Sequence, residues 1–367
     1  LETPANAEEV MRNWLLLLVF VPGFLFAQPD STAAAEDYSQ YENLDFADEG
    51  AKRYCTSKVL DLSPQKLISV GFDFQGPYEL EEAGKGKTNF NYSSGERLQF
   101  NIPVISKNSV IVQAGLNYAA QRYSGTADSN AVLGRNLLEN GLTTIGLNLT
   151  VFKPLNEKRF LLFQGSSDLN GDYSFNKFLN LKFLKYSAAL VYGWKMHERL
   201  MYGFGLSRTY RVGEMNYIPV FLYNYTAPNR KWGAEVLFPA RAHYRRTFSS
   251  RSLLLLGYEL EGQSYRMNID GNFSYPNFGN PLTVVAPING AELRRGELRI
   301  RAVFERSIKN FIWISAQAGF RYNYSFNVDE VPNGDFFRGF FGDQTYGMEN
   351  FLGNTFYSMV SINLVSP

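Results

Sequence analysis

A chain of 367 residues with 36 Lys and Arg against 35 Asp and Glu carries a formal net charge of +1, so nothing electrostatic points to nucleic acid or a highly charged substrate. The single cysteine, Cys55, excludes an intrachain disulfide and any multi-cysteine metal site. Aromatic residues reach 16% while charged residues stay at 19%, low for a soluble protein, and a mean hydropathy of -0.23 suits a sheet that alternates lipid-facing with interior side chains.

Residues 1–10 have no targeting character and are set aside from the fold. Met11-Arg12-Asn13, the apolar run from Trp14 to Phe26 and the small residue Ala27 have the anatomy of a secretory signal over 11–27, with cleavage expected after Ala27. That run is too short for the ~20 residues of a comfortable membrane helix. No cysteine stands at the cleavage site to take a lipid. Residues 28–62 are polar and acidic without a period of 2 or 3.6, which predicts a periplasmic lead-in; a solvated linker is the reading, a plug inside a barrel the alternative.

From residue 63 onward the pattern is strict alternation. In the stretch 186–210, Tyr186, Ala188, Leu190, Tyr192 and Trp194 share one face, and Leu200, Tyr202, Phe204 and Leu206 repeat it after the turn Met196-His197-Glu198-Arg199. Val191 is an apolar exception on the other face. Tyr192, Trp194 and Tyr202 crowd beside the turn, where a membrane barrel places an aromatic girdle.

The same signature marks strands at 67–74, 98–104, 110–118, 143–151, 160–167, 218–225, 232–238, 240–248, 253–263, 297–305, 311–324 and 356–364. Short connections such as 106–108, 153–158, 227–230, 249–251 and 307–310 alternate with long ones, the longest being 270–295 and 327–354. This asymmetry predicts an all-β, transmembrane antiparallel barrel over 63–367, with short periplasmic turns and long outer loops. Fourteen strands are expected, or twelve if the pair flanking Pro239 is one bent strand or 160–167 lies outside the membrane. Pro239 breaks the asymmetry, because its tight corner falls where a long loop should be.

The last strand resembles the C-terminal strand read by the barrel-insertion machinery, although it ends Val365-Ser366-Pro367 instead of in an aromatic residue. The signal end Phe26-Ala27-Gln28 and the segment Trp232-Gly233-Ala234-Glu235-Val236-Leu237-Phe238-Pro239-Ala240 resemble uncharacterised outer-membrane β-barrel proteins of Bacteroidota, a family of unknown function. The resemblance implies a porin-like protein of a Gram-negative outer membrane. Its expected partners are outer-membrane lipid, the insertion machinery and a small solute.

Parity places one constellation inside the barrel: Glu235, Arg241, His243, Arg245, Glu259, Glu261, Glu297, Arg299, Arg301 and Arg321, with Gln317. Interleaved acids and bases read either as a charged constriction that selects solutes or as a salt-bridge ladder that fills a narrow interior. Phe336, Phe337, Phe340 and Phe341, with Phe273, Tyr275 and Phe278 in the preceding long loop, read as a capture surface or as a packed lid. Asp168, Asn170 and Asp172 hint at calcium, but Tyr173 and Leu179 stand where an EF-hand loop needs Gly and Glu, and a surface loop is expected instead. Only His197 and His243 are available for catalysis, and no Ser-His arrangement can be traced. The chain reads as a barrel for small-solute passage, ligand capture or envelope structure, with no cofactor; a barrel enzyme acting on lipid or peptide is the alternative.

Overall fold

The computed structural model describes residues 54–82, 86–173, 181–210, 216–269, 272–275, 284–287, 291–330 and 348–366. The signal segment, the first part of the lead-in and Phe336, Phe337, Phe340 and Phe341 lie outside them.

In chain order the elements are β1 (Lys66–Gln75), β2 (Tyr78–Glu82), β3 (Gly86–Lys107), β4 (Val110–Ala127), α1 (Val132–Asn140), β5 (Leu142–Pro154) and β6 (Arg159–Gly171). A 3-10 turn at Leu181–Phe183 leads to β7 (Leu184–His197), β8 (Leu200–Thr209), β9 (Asn216–Thr226), β10 (Trp232–Phe238), β11 (Arg241–Ser249) and β12 (Ser252–Met267). A small hairpin, β13 (Asn272–Tyr275) with β14 (Val284–Pro287), precedes β15 (Ala291–Lys309), β16 (Ile312–Glu330), β17 (Asn350–Leu352) and β18 (Thr355–Val365). Each long strand pairs antiparallel with the next, and β1 pairs with both β18 and β3, so fourteen strands close into a ring. Closure leaves no lateral edge of the ring unpaired, which lipid would not tolerate.

The strands flanking Pro239 are a true hairpin, paired from Trp232↔Arg246 to Leu237↔Arg241, and the 160–167 segment is part of β6 inside the ring. The twelve-strand alternative therefore falls. Pro239 follows a cis peptide bond in a two-residue connection at the long-loop end.

Outward parity is apolar. Leu190, Phe204, Ile300 and Ile362 are each more than half exposed. At the short-turn end, rings touch from strand to strand: Tyr192 with Trp194, Trp194 with Tyr202 at 5.5 Å, Tyr225 with Trp232 at 5.5 Å, and Trp232 with Tyr244 at 6.2 Å. An apolar band bounded by such a ring is the exterior of a barrel that stands in lipid.

Each end of the interior carries a packed apolar cluster. At the short-turn end, residues 54–65 enter the mouth, where Cys55 and Val59 pack with Phe152, Phe160, Val191, Met201 and Leu222. This corrects the solvated-linker expectation for the last part of the lead-in. It also accounts for Val191, whose inward apolar side chain meets the inserted segment.

At the long-loop end a helix occupies part of the connection between the strands expected at 110–118 and 143–151. Leu133 and Leu137 of α1 are fully buried among Leu80, Phe90, Leu142, Met267, Leu293, Phe326 and Leu352. Its N-terminus has no local cap, since Ala131 offers no side-chain acceptor. Glu82, fifty-one residues earlier than Leu133, accepts the backbone N–H groups of Leu133 at 3.2 Å and Gly134 at 2.8 Å. A carboxylate there satisfies orphan donors and complements the helix dipole. Below this cap β6 touches β12 through a bridge between Gly171 and Arg266, and the cross-section narrows.

Candidate functional site: the charges inside the barrel

Among the inward residues of β15 are Arg295, Glu297, Arg299 and Arg301, one every second position, so a single strand lays an acid between bases along the lumen. Glu297 is fully buried. Its carboxylate accepts from Arg295 Nη2 at 2.8 Å and from Arg299 Nε at 2.5 Å, with Arg321 Nη1 farther off at 3.9 Å. Arg299 Nη1 also reaches Glu261 Oε2 of β12 at 2.7 Å. Glu261 Oε1 in turn accepts Arg97 Nη2 of β3 at 2.6 Å, and Arg97 lies 3.3 Å from Asp73 of β1. Since β3 and β12 are not neighbours in the ring, this chain of ions spans the interior.

Four guanidinium groups meet three carboxylates here, and neutral partners complete the set. Arg321 donates to Gln75 and stands 4.4 Å over the Tyr78 ring, Arg295 donates to Gln121, and Arg299 stands 5.0 Å over the Tyr357 ring. Planar, weakly hydrated guanidinium suits such forked and stacked contacts better than ammonium would. Gly95 is needed beside Asp73, because a Cβ there would sit 1.9 Å from Asp73 Oδ1.

The remaining candidates divide into two groups. Arg301 pairs with Glu259, and its Nε and Nη2 lie 3.3 and 3.2 Å from His243 Nε2, which accepts from the guanidinium. Gln317 lies at the edge of this group, 3.4 Å from Arg301 Nη1, and donates to the Tyr357 hydroxyl at 2.6 Å. Nearer the short-turn end, Arg245 Nη1 donates to Glu235 at 2.7 Å, while the same Glu235 oxygen accepts the N–H and hydroxyl of Ser63 at 2.9 and 2.8 Å. Arg245 Nη2 bonds Thr226, whose hydroxyl bonds the Leu60 carbonyl. Arg241, beside the Pro239 corner, is exposed and stands apart.

The expectation thus missed Arg97, Asp73, Gln75 and Arg295. Asp73 and Gln75 flank Phe74, and Arg97 precedes Leu98, so the alternation of the early strands carried the signal. Arg295 falls in the expected connection 270–295 because the expected strand begins at 297, six residues after β15 begins at Ala291. A second polar set also went unread: Lys66 pairs with Glu305 at 2.8 Å, Ser315 bonds Glu305 and Asn363, and Asn363 bonds Ser69, tying first and last strands together.

Residues 54–65 are held mainly by polar contacts. Lys195 Nζ donates to the Lys58 carbonyl at 2.6 Å and to Thr56, Leu60 N–H bonds the Glu198 carbonyl, and Cys55 N–H bonds the Asn156 carbonyl. Burial pushes the Cys55 thiol above its ordinary range. The Asp168, Asn170 and Asp172 group is not a surface loop: all three are buried at the end of β6, and Asp172 accepts the Asn268 N–H at 2.7 Å and its amide at 2.6 Å. Desolvation raises the Asp172 carboxyl, against the opposing pull of those bonds.

Against known proteins, the model of a domain of unknown function, DUF6268, matches residues 120–279, less than half of the chain. No curated protein matches. Among solved structures, the chain is similar to the COG4313 outer membrane channel from Pseudomonas putida F1 at 10% identity and TM-score 0.35, covering 83% of this chain and 97% of that one. The Pseudomonas putida toluene transporter TodX aligns at 9% identity and TM-score 0.31 over 85% and 95% of the two chains. The translocator domain of autotransporter NalP from Neisseria meningitidis aligns at 10% identity and TM-score 0.30 over 82% and 90%.

Proposed function

We propose that this chain is an outer-membrane barrel that is closed at rest, whose interior charges hold the wall together instead of selecting solutes. The observation that carries this reading is the fully buried Glu297, bonded by two arginines that continue through Glu261 and Arg97 to the opposite wall. A selective constriction needs charged groups with water beside them; Glu297, Arg299 and Arg321 at the centre of this network are shut away from it. A mutually paired network is instead what a narrow interior requires of any charge it contains. The signal-like N-terminus and the apolar exterior support export to an outer membrane, short turns inward and long loops outward.

A second reading, small-solute passage, is favoured by the seating of residues 54–65. They block the periplasmic mouth largely through hydrogen bonds, which water can replace. The barrel enzyme has less support: His243 is engaged by Arg301, which makes it part of the ionic scaffold. Planar-bilayer recording separates the readings. The intact chain should be silent, and a variant lacking residues 54–63 should either conduct, in favour of passage, or stay silent, in favour of envelope structure. Steady conductance of the intact chain would defeat the closed-barrel proposal.

A further inference from the structure

The ring has one irregular seam. β16 pairs with β18 as far as Arg321↔Thr355, but beyond that point β17 leaves β16 and pairs with β2. Val328 and Met348 meet again higher up through two 2.9 Å backbone bonds. Between these points asparagine side chains span the gap in place of a ladder. Asn323 N–H donates to Asn354 Oδ1 at 2.8 Å, Asn323 Nδ2 to the Gly353 carbonyl at 2.6 Å, and Asn350 N–H to Asn327 Oδ1 at 3.0 Å.

The gap forms a half-open pocket of about 340 Å³, at the lower end of the ~300–1,000 Å³ typical of small-molecule sites. Two polar atoms of its lining residues, Asn323 Oδ1 and Ser325 Oγ, are buried without a hydrogen-bond partner. Such atoms are uncommon and call for a missing partner. Tyr324 and Phe351, exposed at 42% and 63%, supply ring faces at its rim. Tyr324 is the extra residue of a bulge opposite Gly296–Glu297, and Gly296 makes room for it: a Cβ there would lie 2.4 Å from the Tyr324 ring.

The lining chooses among ligand classes. Among the described residues it contains one carboxylate, Glu349, and no Lys, Arg or His, which disfavours phosphate and other anions. Its asparagines and serine disfavour a purely apolar guest, since their polar atoms would lose hydrogen-bonding capacity. A neutral polyhydroxylated ring fits both demands. Its hydroxyls donate to Glu349 and, once those side chains turn toward the pocket, to Asn323 and Ser325, and its C–H face lies against Tyr324 or Phe351.

We infer that this seam is a saccharide-binding site at the outer rim of the barrel. The site rests on the outward orientation proposed above only for its level in the membrane. At ~3.3 Å rise per residue and a tilt of ~40°, Tyr324 stands about 30 Å along the axis from Ile312, just past an apolar band of ~25 Å. That is the level of lipid head groups. The sugar is therefore either the head group of an outer-leaflet glycolipid or a free saccharide.

The test uses the full chain in two arms. In detergent, free N-acetylglucosamine is titrated and followed by saturation-transfer NMR. In nanodiscs, retention of lipopolysaccharide is compared with retention of phosphatidylethanolamine by native mass spectrometry. Saturable binding in the first arm identifies a free saccharide, and selective lipopolysaccharide retention in the second identifies a glycolipid. In either case Phe351→Ala and Ser325→Ala should each weaken binding by about tenfold while heat-modifiable gel mobility is unchanged. No saturable binding in detergent together with equal retention of the sugar-free lipid in nanodiscs, or binding indifferent to both substitutions, overturns the site. The detergent arm does not depend on orientation, so failure of the membrane reading, seen as failure to insert into vesicles, is a separate result.

Discussion

The two ends of this barrel are closed by different physics. At the long-loop end α1 brings Leu133 and Leu137 into an apolar cluster fed by seven strands, and the helix is capped by a buried carboxylate from β2. At the short-turn end residues 54–65 bring two small buried anchors, Cys55 and Val59, and otherwise rely on Lys195, Thr226, Glu235 and turn carbonyls. The first closure is a core that exists only when the barrel does. The second is a strap whose bonds can be exchanged for water one at a time. One end is thus packed by an apolar core and the other by exchangeable polar bonds, with the ionic network between them.

That network should show the largest effect. Glu297→Ala leaves Arg295 and Arg299 facing each other without their shared acid and should cost ~3–5 kcal/mol. A double-mutant cycle with Arg299→Ala should recover part of the loss, and strict additivity would show that the pairing is decoration. Next, Leu137→Ala opens a void in the outer closure and should cost ~2–5 kcal/mol, read from urea unfolding in lipid vesicles. A loss no greater than that of Val59→Ala would erase the contrast between the ends.

Outside the lumen, Ile300→Arg on the lipid face should cost ~2–4 kcal/mol, whereas Asn148→Arg on the interior face should cost much less. Equal losses of insertion into vesicles would remove the assigned parity. The smallest effect concerns the strap. Lys195→Met should lower its local opening energy by about 1–2 kcal/mol and speed maleimide labelling of Cys55 by about five- to thirtyfold, with global stability nearly unchanged. Cys55 in the intact chain should label slowly, because burial both hides the thiol and raises its pKa. Rapid labelling of the intact chain would show that the strap is not seated.

Alternation of side chains is a local property, so residues 186–210 alone disclose a strand, a turn, a second strand and the face each presents. From parity follow the inward positions of Glu261, Glu297, Arg299 and Arg321, and from connection lengths the ring and its two ends. What each inward charge touches is not local. Arg97 meets Glu261 across the lumen because ring closure brings β3 opposite β12, and no spacing along the chain encodes that distance. For the same reason α1 was unreadable, its cap being supplied by Glu82 instead of a neighbour, and the strap had no period to betray it. The seam beside Asn323 arises because β17 prefers β2 to β16, a choice between two partners that only the assembled sheet presents. Sequence by itself determined which face the fourteen ring strands turn to lipid, since that follows from a period of two; tertiary structure decided what packs inside, since that depends on which walls the closed ring sets facing each other.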